Sequence, residues 1–450
     1  MTTMGLMRSF AVLAVLGLPV GTAGAAVLTA DDAVKIALEK SGQVIGARAG
    51  VLSARGSLYA AYGGVLPNVG ASLSRSEART KGESGSATLL GATTPLPAND
   101  SRSDFTSPTL SFNWGVLTPS AWKNLSAARH GNRAARFELD AARNDVALSV
   151  RRQFYEVVKA VKLAEVAEGS LQLSRDDERR VKAMFEVGSV SKSDLLKAQV
   201  RSAQSELSLL QARHSIIVQR VDLARQIGID EGSMGGVDTL LTAEVQTFDE
   251  GALVKEAATK RPDLIAAEAT LASARASHAA ARLGRLPYIT ANGTASFNQK
   301  TNFSNTDLST GFEASGKTKV DRDVRGQVAL RWDIFNLGNV DARIAASKAT
   351  LLNAQEQRDA LRRNLASEVR QAILSYLEAS ESQVAAQRGL ESASENLKLT
   401  QEKYNVGSAT ILELIDAQVQ LETAKSDLVR ALAAIRVGEA QINRVRGQSQ

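Results

Sequence analysis

No cysteine occurs among the 450 residues. That excludes disulfides, thiolate metal sites, cysteine nucleophiles and a lipid-modified N-terminal cysteine. Prolines number only 8 and aromatic residues make up 4%. A chain so poor in helix breakers and large core fillers, yet rich in Ala, Leu, Glu, Arg and Gln, points to extended helices rather than compact α/β domains. Dense Lys/Arg runs with interleaved aromatics are also missing, and the net charge is a modest +6, so nucleic acid is a poor partner class. His130, His214 and His278 lie far apart with no ligand-spaced neighbours. There is no phosphate-cradling Gly-Lys-Ser/Thr loop and no nucleophilic triad signature. The expectation is a protein that is not an enzyme, without metal or cofactor.

Apolar runs are scarce too. The longest is Phe10 to Val20, preceded by Arg8 and followed by Ala23-Gly24-Ala25. This pattern predicts a secretory signal over residues 1–25, with the mature chain starting near Ala26. The run falls short of the roughly 20 residues a membrane anchor needs, and no later segment supplies a transmembrane helix.

What is present is repetition. Phe185-Glu186-Val187-Gly188-Ser189, with Ala198-Gln199-Val200 after it, returns as Tyr404-Asn405-Val406-Gly407-Ser408 with Ala417-Gln418-Val419, 219 residues later. Ser53-Ala54-Arg55 with Pro67 returns as Ser273-Ala274-Arg275 with Pro287, and Trp114 returns as Trp332. A duplication on this scale predicts two equivalent halves, residues 26–230 and 251–446. Between them lies an irregular, glycine-rich linker or equatorial segment, residues 231–250, and residues 447–450 form a tail. Each half reads helix, strand, long loop, strand, very long helix, tight turn, long helix.

The first helix of each half is expected from Thr29 to about Tyr62 and from about Ala252 to Leu283, with Pro262 near a break or the first turn of a new helix. Period-two alternation then marks four strands, about 67–77, 106–116, 287–298 and 323–334. Val69, Ala71 and Leu73 share one face, as do Leu110, Phe112, Trp114 and Val116. In the second half Ile289, Ala291, Gly293, Ala295 and Phe297 share a face, as do Val324, Gly326, Val328, Leu330, Trp332 and Ile334. Arg325, Arg331 and Asp333 fall on the opposite face as wall residues. Long polar loops, Glu77 to Phe105 and Gln299 to Arg322, join each pair.

Such strands could be half-buried hairpins on a soluble core, or tilted transmembrane strands of about ten residues. In a membrane, four strands leave two open edges, which lipid does not tolerate. They become viable only by joining strands of other copies, and three copies give a twelve-stranded barrel.

Two proline-free stretches follow, from Pro119 to Gly188 and from about Asn339 to Asn405, each close to ~100 Å if helical. Both end at Val-Gly-Ser, where glycine suits a left-handed helix C-terminus. On the return helices, Leu414, Leu421, Leu428, Ile435 and Ile442 recur every seventh residue beside Ala417, Ala424, Ala431 and Gly438. Leu196, Ala203, Leu210, Ile217 and Ala224 do the same in the first half, beside Val200, Leu207, His214 and Val221. Both patterns predict coiled-coil seams, with His214 a tolerated core residue.

These features together resemble the TolC-like outer-membrane factors, the exit ducts of efflux pumps and type I secretion systems. The likeness spans nearly all of the mature sequence. It rests on Leu28-Thr29 with Ala33, on Leu66-Pro67 and Leu286-Pro287, and on the duplicated Val-Gly-Ser turn with its following Ala-Gln-Val. It implies a mainly α protein with membrane β structure: long antiparallel helical hairpins forming a coiled-coil tunnel in the periplasm, and four strands per protomer in a trimeric twelve-stranded barrel. It further implies a homotrimer in the outer membrane of a Gram-negative bacterium, meeting a periplasmic adaptor and an inner-membrane transporter. Mapped here, the residues lining the periplasmic aperture are Asp194, Glu413 and Asp416, and Tyr404 stands where the family has a latching tyrosine. A family arginine of that latch falls on Ala409, so the latch is absent or replaced.

Glu413 and Asp416 are three residues apart, hence on one helix face. Threefold symmetry would make them a ring that favours cations, its acids raising one another's pKa. The plainer alternative is a solvated face paired with nearby bases. The turns Val187, Gly188, Ser189 and Val406, Gly407, Ser408 suit adaptor docking, or are plain turn chemistry. A soluble periplasmic coiled-coil adaptor or scaffold is the other function open at this point. Cargo, whether drugs, metal ions or an unfolded polypeptide, is not written in the chain.

Overall fold

The computed structural model describes residues 27–89, 91–96, 98–242, 246–307, 313–316, 321–335 and 338–448. The signal expected over 1–25 lies outside them. The chain opens with α1 (Ala30–Lys40) and α2 (Gly42–Gly63), followed by β1 (Asn68–Gly82), β2 (Gly85–Leu89), β3 (Ala92–Leu96) and β4 (Asn99–Leu117). Then come α3 (Pro119–Glu186), α4 (Lys192–Ile227), α5 (Glu250–Lys260) and α6 (Pro262–Leu283). The remainder is β5 (Tyr288–Asp307), β6 (Glu313–Gly316), β7 (Asp321–Arg331), α7 (Asn339–Asn405) and α8 (Ile411–Arg446). Between α4 and α5 the described residues hold a single 3-10 turn, Glu231–Ser233, and a parallel bridge from Leu28 to Val237.

The first helix of each half is two helices. Pro262 is the first residue of α6, where its missing N–H costs nothing. The corresponding break at Ser41 has no proline and no side-chain cap. Gly131 and Gly169 pass through α3 without interrupting it, so its 68 residues run ~100 Å at about 1.5 Å each.

The chain forms two compact units. One comprises Val150–Thr242, Ala386–Ala433 and the chain up to Ile36; the other comprises Ala37–Ser149, Ala243–Ala385 and Ala434 onward. The second unit holds the sheet. Its order is β1-β4-β5, all antiparallel, with β7 and the short β6 both pairing β5; β2 and β3 pair apart as a small hairpin. The strands overrun their expected ends. β1 and β4 stay paired from Asn68↔Asn113 to Gly82↔Asn99, and β5 continues to Asp307. What was expected as long loops is therefore largely extended hairpin. β7 stops at Arg331, so Trp332, Asp333 and Ile334 lie beyond the strand.

Helix packing in the second unit centres on Tyr376, fully buried among Leu253, Val369, Ile435 and Ile442. Gly438 is what lets α8 pass Tyr376: an added Cβ would meet the ring at 3.2 Å. The Tyr376 hydroxyl accepts from Gln246 N–H at 2.8 Å. Arg261, also buried, bridges Asp263 at the start of α6 and Glu368 on α7, each at 2.5 Å. Along α8, Leu414, Ala417, Ala431, Ile435, Gly438 and Ile442 are buried, as the seam predicts. Of the α4 seam only Ala224 is buried within the chain. Leu196, Val200, Ala203, Leu207, Leu210, His214, Ile217 and Val221 are all exposed, whereas Ala198, Ser202, Ser205, Leu209, Leu223 and Ile227 face inward with Ala224.

Candidate functional site: an exposed apolar sheet face and a paired helical tip

The sheet register sorts side chains by face. Ala71, Leu110, Ala295 and Val324 stand opposite one another across four strands, and so do Val69, Phe112, Gly293 and Gly326. Trp114, Ala291 and Val328 make the next row, and Ile289 with Leu330 the one after. On the other face lie Ser72, Thr109, Ser296 and Asp323, then Gly70, Ser111, Thr294 and Arg325. The apolar face has no cover among the described residues: Val324 is 76% exposed, Val328 74%, Leu73 73% and Val69 63%. An uncovered apolar sheet face of this kind marks contact with lipid or with another protein. From Ile289 to Phe297 the band measures ~27 Å along the strand at about 3.4 Å per residue. Tilted by about 35–45°, that spans ~20 Å of the apolar belt of ~25 Å on outer-membrane barrels. Two of the three tryptophans sit where the sheet meets the helix junctions. Trp114 Nε1 donates to Val65 O and Trp332 Nε1 to Arg285 O, each at 3.1 Å.

β1 pairs only with β4, and β7 only with β5, among the described residues. The sheet therefore ends in two open edges. No described helix is long and apolar enough to cross a membrane, which says nothing against a β-barrel.

The first unit holds both helical turns. They are built alike. Ser189 N–H donates to Met184 O at 2.8 Å and Gly188 N–H to Phe185 O at 2.9 Å; Ser408 N–H donates to Lys403 O at 2.9 Å and Gly407 N–H to Tyr404 O at 3.1 Å. Each is the double hydrogen bond that closes a helix over a left-handed glycine, with Gly188 at φ 80° and Gly407 at φ 77°. The helices that follow are also started alike. The Ser191 hydroxyl accepts from Asp194 N–H at 3.1 Å and donates to the Asp194 carboxylate at 2.8 Å. The Glu413 carboxylate accepts from Thr410 N–H at 2.6 Å, while Thr410 Oγ1 accepts from Glu413 N–H at 3.3 Å.

Asp194 and Glu413 are thus the acids of two capping boxes. The Ser191-x-x-Asp194 and Thr410-x-x-Glu413 spacing carries that signal in the sequence. The Ser191 hydroxyl, with Lys197 close by, holds the Asp194 carboxyl below its ordinary range. The Thr410 backbone N–H and then its hydroxyl do the same for Glu413. In a single chain the shift is opposite to the mutual raising expected of a ring. Asp416 is exposed and accepts from Gln420 at 2.7 Å.

Tyr404 is buried in the cluster that joins the turns, with Val181, Ala198, Ile411 and Leu414. Val190 and Ala409 pack on the same cluster. Burial raises the pKa of the Tyr404 hydroxyl, and the Asp194 and Asp177 carboxylates add to the effect. Asp177 was not anticipated. It is buried, its pKa is raised by burial, and it accepts from Gln418 on α8. Seven residues earlier on α3, Ser170 donates to Glu422 at 2.7 Å, and Arg201 of α4 pairs with the same carboxylate at 2.6 Å. These polar layers fix the register of three helices. At the turns themselves Val187 and Val406 are 76% and 79% exposed, with Gly188, Ser189, Gly407 and Ser408 exposed beside them.

Comparison with known proteins follows the same outline. The family model described as "Outer membrane efflux protein" matches residues 33–229 and again 253–448, one match per half. The outer membrane protein TolC of Vibrio cholerae serotype O1 is 24% identical over 331 residues, 73% of this chain and 74% of its own. Nodulation protein T of Rhizobium leguminosarum bv. trifolii is 25% identical over 371 residues, 78% and 73% respectively. The solved structure of the Campylobacter jejuni CmeC outer membrane channel shares the fold at a TM-score of 0.75 and 16% identity, over 93% of this chain and 85% of that one. A soluble adaptor or scaffold is not favoured by a match to the outer membrane efflux protein model over both halves. The chain belongs to the outer membrane efflux protein family, whose place is the outer membrane of a Gram-negative cell.

Proposed function

We propose that three copies close one barrel and one tunnel, the passive exit duct of a tripartite efflux pump or a type I secretion system. The observation that carries this is the sheet of four long strands, with the short β6 beside β5, its apolar face uncovered and its two edges open. β1 and β7 run in opposite directions, since each of the three intervening pairings is antiparallel. β7 of one copy can therefore pair with β1 of the next, and three copies give twelve antiparallel strands with no edge facing lipid. The polar face, with Arg325, would line the bore.

The paired turns would form the periplasmic entrance. Asp194, Glu413 and Asp416 would line the aperture, and Tyr404 would hold the closed tip through the cluster it fills. Exposed Val187 and Val406 beside Gly188, Ser189, Gly407 and Ser408 suit a periplasmic adaptor, with an inner-membrane transporter as the energy source. The duct serves either cargo class, small molecules or an unfolded polypeptide.

Planar-bilayer conductance tests this reading. The purified trimer is expected to give a low, cation-selective conductance. Glu413→Gln with Asp416→Asn removes the charges, while glutamine still serves the capping box; selectivity should fall several-fold with the fold intact. Unchanged ion preference would remove the aperture assignment. No conductance at all from the trimer would remove the channel.

A further inference from the structure

The apolar face of the sheet does not end in a turn. It becomes charged. Beyond Val69, Ala71 and Leu73, the same face of β1 carries Arg75, Glu77, Arg79 and Lys81. Opposite them on β4, beyond Leu110 and Pro108, stand Asp104, Arg102 and Asp100. On β7, Arg322 shares a row with Phe297, at the upper limit of the apolar band. The other face of the hairpin carries no charge over the same length and is mostly hydroxylic: Ser74, Ser76, Ala78 and Thr80 on β1, Ser107, Phe105, Ser103 and Ser101 on β4. On the β1-β4 hairpin the long charged side chains thus all lie on the face that the channel reading turns toward lipid, and they begin where its apolar residues stop; Arg325 of β7 and Lys300 of β5 stand in rows of the other face.

We propose that this rim binds the phosphorylated glycolipid of the outer leaflet, with Arg75, Arg102 and Arg322 as the phosphate contacts; the proposal rests on the channel reading. The rim sits at the sheet end away from the helix junctions at Asn68, Leu117, Tyr288 and Arg331, hence on the cell-surface side. Five bases face three acids on it. Arg79 is committed to Asp100, at 2.6 Å with a second hydrogen bond at 3.0 Å. Arg75 is held only loosely, 3.6 Å from Asp104, and its side chain is 77% exposed. Arg102 and Arg322 are exposed. A guanidinium matches a phosphate with two parallel hydrogen bonds, and beside an apolar band it meets headgroup and acyl chain at once. β1 and β7 are the open edges, so closing the trimer brings Arg322 of one copy to the strand next to Arg75 of its neighbour.

The test uses the full-length trimer, delipidated in detergent and titrated with defined lipids under native mass spectrometry. Diphosphoryl lipid A is expected to bind at least tenfold more tightly than its dephosphorylated form or phosphatidylglycerol. Arg75→Gln with Arg102→Gln and Arg322→Gln should erase that preference, whereas Arg325→Gln on the opposite face should not. Arg322→Gln alone, a change to one exposed side chain, should weaken binding about threefold and guards against a misfolded triple variant. Equal binding of phosphorylated and dephosphorylated lipid, equal binding of phosphatidylglycerol, or a triple variant that binds like the parent would overturn the proposal. Bilayer conductance of the same preparations separates these results from failure of the channel reading, because loss of the rim leaves the pore open.

Discussion

At the scale of single residues, the acids at the tip do two things that sequence spacing cannot separate. Asp194 and Glu413 start helices α4 and α8 by capping them, and the same carboxylates are candidates for the aperture. Capping explains why acids stand there even in one chain. Removing the hydroxyl in Thr410→Ala is expected to cost about 1 kcal/mol of local stability, whereas Glu413→Gln should cost less. Hydrogen exchange of the first turn of α8 checks both, and equal protection in the Thr410 variant would contradict the cap.

The sign with pH follows from the lowered folded pKa values. The contribution of Asp194 and Glu413 is complete above the unfolded values of about 3.9 and 4.3, and it is lost as pH falls through the lower folded values. Asp177 works in the opposite sense: its folded pKa is raised by burial, so its penalty grows as pH rises through that raised value. Protection at the tip, measured against the intrinsic exchange rate at each pH, should therefore fall in acid through the caps, while Asp177 partly offsets the loss.

At the scale of elements, periodicity revealed which helices and strands exist but not what each face meets. The long helices, the turns at Gly188 and Gly407 and the α8 seam were legible because proline, glycine and heptad spacing act locally. The α4 heptad was equally regular, yet its stripe points away from the chain's own helices. A seven-residue repeat specifies a stripe, not its partner. The strand extensions were missed for a related reason. From Ser74 to Lys81 the alternation is small against charged, with no apolar member to draw the eye, though its period is still two. The Ser41 break carries neither proline nor a side-chain cap and left no mark. If the exposed α4 stripe is the seam between copies, Leu210→Asp with Ile217→Asp should shift the trimer toward monomer by tenfold or more in dissociation constant. Native mass spectrometry would read that shift, and circular dichroism should show the helices retained. A trimer of undiminished stability would place the seam elsewhere.

At the scale of the whole assembly, barrel closure is the step that turns a sheet into a pore, and it can be tested without touching the tip. The chain has no cysteine, so introduced pairs report cleanly. Within one copy β1 and β7 are separated by β4 and β5, three strand spacings or ~14 Å at about 4.8 Å each. That exceeds the roughly 7 Å limit for a disulfide between Cα atoms. An intrachain bond is thereby excluded, and any cross-link must join two copies. Cysteine at Ser72 on the polar face of β1, combined in turn with cysteine at Asp323, Arg325, Gln327 or Ala329 on the matching face of β7, samples the register of the seam. Oxidation is expected to give a covalent trimer at one of these positions, with its neighbours weaker, because antiparallel partners share a row in only one register. A linear ladder without a closed trimer would mean the edges pair but the ring does not shut. No cross-link at any position would mean that β1 and β7 stay unpaired, and lipid would then face the open backbone that makes a four-stranded wall untenable alone.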